Sequence, residues 1–340
     1  MKTKYTYSFI GLSIALLLCF FVNISLGSVS IPIKDVFNSI LGTSDNENWQ
    51  YIIQDYRLPK ALTAILVGSG LGISGLLMQT FFRNPLAGPF VLGISSGASL
   101  GVALVILGSG LFGGAFATVL ISKWSIVIAA ISGSFLVLLA VLIVSARVRD
   151  TMAILIIGLM FGSITAAVVS VLSYFSSAEQ LQQYIFWGFG SLGNLSWNEL
   201  FVFFGIYLLG MLLTIFSIKA LNTFLLGENY AKSLGLNIKQ SRLVIILATS
   251  LLAGTITAFA GPIAFIGLAI PHMTRQLFHT SNHKILLPAV FLFGAIVMLI
   301  CDSISQLPTS DYTLPINAIT SLIGAPVVVW LLVRKRKMIF

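Results

Sequence analysis

Few residues in this chain are equipped for chemistry, and their spacing narrows what they can do. Gly70-x-Gly72-x-x-Gly75 has the spacing of a dinucleotide fingerprint, in which glycines bring backbone amides up to a pyrophosphate at the start of a helix. That chemistry requires a strand before the glycines. Here they lie inside one long apolar run, so with Gly68 they read as a small-residue surface for close helix packing. Gly108, Gly110, Gly113 and Gly114 are not followed by Gly-Lys-Ser/Thr, and the chain contains no P-loop with which to hydrolyse ATP. His279 and His283 stand four residues apart, a spacing able to hold a metal. No third ligand is near them in sequence, so a surface role is expected. His272 follows Pro271 inside an apolar run and is expected to meet a carbonyl or polar neighbour, with a role on a transport pathway as the alternative. No Ser/His/Asp or Cys/His arrangement occurs in believable context, and Cys19 and Cys301 lie in apolar surroundings. The chain is therefore read as no enzyme, with no cofactor and no metal.

The acidic residues separate transport mechanisms. A proton- or sodium-driven carrier usually places an ionisable group near the bilayer midplane. Of the 10 Asp and Glu residues, only Asp302 falls clearly inside an apolar run, toward one end of it, where it must be partnered or close to water. A structural, hydrogen-bonding role is expected for it. Residues 225–236 supply a different kind of site: a helical stretch with Glu228 and Lys232 at i, i+4 spacing, an apolar set of Leu225, Leu226, Tyr230, Ala231 and Leu234, and a glycine stop at Gly235. Such a segment is either an amphipathic connector at the membrane interface or a helix that fits a groove on a cytoplasmic protein.

The elements that must position these residues follow from composition. Of 340 residues, 57% are hydrophobic and 9% charged, far from the roughly one-quarter charged of soluble domains. Lys and Arg occupy short segments between apolar runs, which argues for a membrane and against nucleic acid despite the net charge of +9. Candidate spans are 8–27, 58–82, 90–108, 120–146, 152–173, 197–218, 243–260, 263–279, 286–306 and 315–333, each near the ~20 residues that cross the hydrocarbon. The first is read as a retained span, since no small-residue cleavage site follows it. With the N-terminus inside, fifteen of the 19 Lys and Arg fall in inner segments, against Lys34, Arg57, Lys60 and Lys123 outside. The sequence thus predicts an all-α integral membrane protein of about ten transmembrane helices, both termini inside, forming a single domain over residues 1–340. Residues 28–57 and 174–196 are expected as outer loops, the first with a short helix near 31–41, and residues 219–242 as the largest inner segment. Ala87-Gly88-Pro89 and Ala260-Gly261-Pro262 precede similar apolar stretches on opposite faces of this topology, which is the mark of an inverted repeat.

Several blocks then carry a family resemblance. Glu228-x-x-Ala231-x-x-x-Gly235 resembles the coupling motif of ABC importer permeases. Arg57-Leu-Pro-Lys60, Gly75-Leu-Leu-Met-Gln79, Arg83-Asn-Pro-Leu-Ala87, Leu92-Gly-Ile-Ser-Ser-Gly97, Gly261 through His272, Leu314-Pro315 and Gly324-Ala-Pro326 resemble the iron-siderophore, haem and vitamin B12 permeases in order and over almost the whole chain. The resemblance implies a bacterial cytoplasmic (inner) membrane subunit. It would pair with a second permease subunit, identical or not, be powered by two cytoplasmic ATP-binding subunits, and receive substrate from a periplasmic or lipid-anchored binding protein.

The resemblance also assigns residues. Arg57 and Lys60 correspond to a basic pair that meets acidic residues of the binding protein. Lys60 lacks the bidentate reach of an arginine, and a third basic position corresponds here to Gln306. The acidic residue usual in Asn-Pro-Leu-Ala-x-Pro is Gly88. Asp150 and Thr151 match the cytoplasmic gate, while Glu228, Ala231 and Gly235 match the ATPase-coupling segment. An ion-coupled secondary transporter of a small solute and a non-transporting membrane scaffold are the competing readings.

Overall fold

The computed structural model describes residues 3–44, 46–109, 122–147, 151–307, 310 and 312–333. Among these, every regular element is helical. The helices are α1 (Thr3–Ser25), α2 (Ile33–Ile40), α3 (Glu47–Tyr51), α4 (Leu58–Phe81), α5 (Ile94–Ile106), α6 (Lys123–Arg147), α7 (Thr151–Tyr174) and α8 (Ala178–Gly188), then α9 (Trp197–Phe216), α10 (Ile218–Phe224), α11 (Glu228–Ser233), α12 (Ile238–Ala260), α13 (Ile266–Phe278), α14 (His283–Ser305) and α15 (Ile316–Val333). Seven helical stretches among the described residues are long and apolar enough to cross a membrane. The expected spans at 90–108, 263–279 and 315–333 contain the shorter helices α5, α13 and α15. The short helix expected near 31–41 is α2. The loop expected at 174–196 contains a helix, α8, announced by a capping box in which Ser177 and Gln180 satisfy each other's backbone amides.

Helix α4 is the axis of the molecule. Nearly all its residues are buried, and a helix apolar on every side belongs in a core. Helix α14 runs antiparallel to it, with Lys60 against Asp302 at one end and Thr80 against His283 at the other. Midway the two backbones nearly touch: a Cβ on Gly68 would lie 2.2 Å from the Gly294 carbonyl oxygen, and one on Gly75 would lie 1.7 Å from that of Gly267 in α13. The 68–75 glycines thus form the packing surface that the apolar context predicts. In lipid, where burial of apolar surface between helices gains little, such close packing and interhelical hydrogen bonds hold the bundle. Ser69 Oγ and Tyr207 OH, 2.8 Å apart, provide one such bond between α4 and α9. Outer helices α1, α6, α7 and α9 present Leu17, Leu18, Ile128, Leu136, Ile156, Ile164 and Phe201 outward.

The two Ala-Gly-Pro sequences are breaks between helices. After α4 the chain leaves the helix, passes through a 3₁₀ turn at Pro89–Leu92, and enters the 13-residue α5, then the 25-residue α6. After the 23-residue α12 it crosses residues 261–265 and enters the 13-residue α13, then the 23-residue α14. Arg242, at the start of α12, stacks over Phe81 at the end of α4, and Ile256 packs beside Gly70, so these two helices run in opposite directions. The first break packs on α13: His272 Nε2 is 2.7 Å from the Pro85 carbonyl oxygen, and at the end of α4 Gln79 Nε2 donates to the Leu268 carbonyl at 3.1 Å. His272 therefore has the carbonyl partner its position predicts.

Candidate functional site

One end of the α4–α14 pair carries the basic residues singled out in the sequence. Residues Ile52–Arg57 form a π-helical stretch leading into α4, and Pro59 sits in its first turn, where a missing amide costs nothing. Arg57 points back to the end of α1. Its Nη1 donates to the carbonyls of Ile24 (2.8 Å) and Ser25 (3.0 Å), and its Nη2 to that of Val29. A cation on a helix C-terminus satisfies orphan carbonyls and opposes the helix dipole. Lys60 Nζ lies 3.2 Å from Asp302 Oδ1, and Asp302 is 2% exposed. The other oxygen, Oδ2, accepts from Asn23 Nδ2 at 2.9 Å and Gln306 Nε2 at 2.7 Å. Both predicted docking cations are thus engaged within the chain, and Asp302 has the partners its burial demands. They line an open hollow of about 750 Å³ with Tyr56, Asn194, Asp302 and Gln306.

The opposite end carries the predicted coupling segment. Gly227, at φ +100°, turns the chain from α10 into α11. After α11 the Leu236 amide bonds back to the Ala231 carbonyl at 3.1 Å, closing the helix through Gly235 at φ +78°, a conformation that side-chain-bearing residues rarely adopt. Ala231 is buried against the bundle, while Leu226, Tyr230 and Leu234 are exposed. The apolar set therefore divides: Ala231 anchors the helix, Leu225 is half-buried, and the other three face away. Glu228 Oε1 pairs with Arg242 Nη2 at 3.1 Å, whose guanidinium stacks over Phe81. Glu228, Tyr230, Arg83 and Phe224 border a second hollow of about 630 Å³.

His283 anchors this end. It is fully buried, with Nε2 2.8 Å from Thr80 Oγ1 and Nδ1 2.8 Å from Asn222 Oδ1. The surface role expected for the His279–His283 pair does not hold for His283. Nor do the two share a helix: His279 ends α13 in a left-handed turn and His283 begins α14. Asp150 lies outside the described residues, and Thr151 is the first residue of α7.

Two buried charged residues escaped the sequence reading. Glu199, in the first turn of α9, bonds to the Ser196 amide (2.7 Å) and hydroxyl (2.8 Å) and pairs with Lys123 at 3.0 Å. The Ser196-x-x-Glu199 spacing, a capping box, was the available signal. Arg275 is buried in α13 with Nη1 2.9 Å from Gln79 Oε1; its partner lies far away in sequence and left no local signal.

Comparison with known proteins finds relatives over nearly the whole chain. The chain is 34% identical over 329 residues to the hemin transport system permease protein HmuU of Yersinia pestis, covering 96% of each chain. It is 36% identical over 328 residues to the vitamin B12 import system permease protein BtuC of Klebsiella pneumoniae, covering 96% of this chain and 93% of that one. An inward-facing structure of a metal-chelate type ABC transporter superposes with a TM-score of 0.82 at 31% identity, covering 97% of this chain and 99% of the other. PsaBC of Streptococcus pneumoniae shares the fold at a TM-score of 0.54 and 17% identity. Such relatives are permease subunits of ABC transporters and not enzymes. The model of the FecCD transport family matches residues 15–334, and this chain, a multi-pass membrane permease, belongs to that family.

Proposed function

We propose that the chain is the membrane-spanning subunit of an ABC importer that carries an iron-siderophore, haem or cobalamin complex across a bacterial inner membrane. ATP hydrolysis on two partner subunits drives it, and a second permease subunit completes the pathway. The observation that carries this reading is the family match over residues 15–334, together with relatives named for haem and vitamin B12 transport. Residues 1–340 act as one transmembrane domain of about ten spans. The basic-poor end with Arg57, Lys60 and Lys123 faces outward and receives the binding protein; both termini and the coupling segment lie inside. The antiparallel α4 and α12, each followed by a break, a 13-residue helix and a long helix, support an inverted repeat whose halves rock to alternate access. An ion-coupled carrier is disfavoured because Asp302 and Glu199, the buried carboxylates among the described residues, are both ion-paired at the Arg57 end.

In this reading Glu228, Ala231 and Gly235 couple the permease to its ATPases, with Leu226, Tyr230 and Leu234 as the apolar contact. Reversing charge with Glu228→Arg breaks the Arg242 pair and places a cation on the docking surface. The variant is expected to lose uptake while the co-purified ATPase keeps hydrolysing; normal uptake would count against the coupling role. Asp150 and Thr151 line the closed cytoplasmic gate. Replacing both with alanine is expected to raise basal ATPase activity and leak, and unchanged values for both would remove them from the gate.

A further inference from the structure

Lys60 stands between a buried carboxylate and an open hollow. Its side chain is 22% exposed, against 2% for Asp302, and both border the hollow at the Arg57 end. The carboxylate divides its bonds by oxygen. Oδ1 faces the lysine, whereas Oδ2 takes the amides of Asn23 and Gln306. Stripping a buried carboxylate of all its donors is strongly destabilising, as is breaking a buried ion pair from one side. Here two amide donors stay on Oδ2 if the ammonium swings outward, so the lysine can leave without orphaning the acid.

We propose that Asp302 is an internal competitor for Lys60, holding the ammonium in the resting permease and yielding it to a carboxylate presented by the incoming binding protein. The proposal rests on the reading that Arg57 and Lys60 receive that protein. Docking strength is then set by the difference between two carboxylates competing for one cation, one inside the chain and one outside. Gln306 tunes the contest: its bond lets Asp302 lean less on Lys60. The exchange also changes the charge balance at one end of α14, whose other end is bonded through His283 to Asn222 of α10, next to the coupling helix α11.

The test uses the assembled permease–ATPase complex in lipid nanodiscs, titrated with the binding protein that co-purifies with it. Asp302→Asn is expected to tighten docking about threefold, Gln306→Leu to weaken it about threefold, and Lys60→Met to weaken it and abolish the effect of Asp302→Asn. Acylation with sulfo-N-hydroxysuccinimide acetate, read by mass spectrometry, gives a second measure. Lys60 is expected to react several-fold faster in Asp302→Asn, relative to the exposed Lys34. In the wild type, saturating binding protein is expected to slow its reaction. Should Asp302→Asn fail to assemble, the Gln306→Leu titration and the wild-type acylation still decide. Unchanged Lys60 reactivity in Asp302→Asn, or docking shifts of the same sign for the Asp302 and Gln306 variants, overturns the proposal. If Lys60→Met docks as well as the wild type, the docking reading itself falls, and the proposal with it.

Discussion

Arg57 shows what a residue's type tells and what it withholds. Its charge and place at the start of a span were legible, and so was the basic pair it makes with Lys60. Its partners were not, because backbone carbonyls at the end of α1 leave no trace in side-chain identity. Asp302 was legible as needing a partner, but Lys60 lies far away in sequence, and only the antiparallel pairing of α4 and α14 brings them together. His283 was misread because the turn through His279 breaks the helix that four-residue spacing presumes. Arg57→Ala strands carbonyls that the guanidinium now serves and is expected to cost about 1–3 kcal/mol, seen as a lower unfolding midpoint in detergent. Arg57→Lys is expected to recover less than half of that loss, since an ammonium cannot reach both sides of the turn with a planar fork. Full recovery by lysine would mean that charge alone holds the end of α1.

At the level of elements, apolar periodicity located helices better than it bounded them. The break after Ala260 shortens the expected 263–279 span to α13, because Gly261 and Phe265 take positive φ and the Ala264 amide bonds sideways to Asn317. The helix around α11 was legible in its glycine stop at Gly235, while the division of its apolar residues between bundle and surface depended on how α11 sits on the core. Close packing offers the sharpest test. Gly68→Leu places a side chain where the Gly294 carbonyl oxygen stands 2.2 Å from a Cβ, so α4 and α14 must part. Little folded protein is expected in membranes, measured as the monodisperse fraction after detergent extraction. A Gly68→Leu protein as abundant and as thermally stable as the wild type would mean that the two helices do not cross there.

For the whole molecule, composition and charge asymmetry fixed the class and proposed an orientation, and the contacts sort the same charges to two ends of one bundle. One end holds paired, inward-turned cations beside a broad hollow, and the other a capped helix with large apolar side chains facing away. ATP-driven import through this chain can be measured directly. The most direct measurement is uptake of radiolabelled haem, ferric siderophore and cobalamin into proteoliposomes holding the permease with its co-purified ATPase, with the binding protein added outside. One of these substrates is expected to accumulate only when ATP is inside and the binding protein is outside, and Glu228→Arg is expected to abolish that accumulation. Accumulation driven by a proton gradient with no ATP present would contradict ATP-driven import.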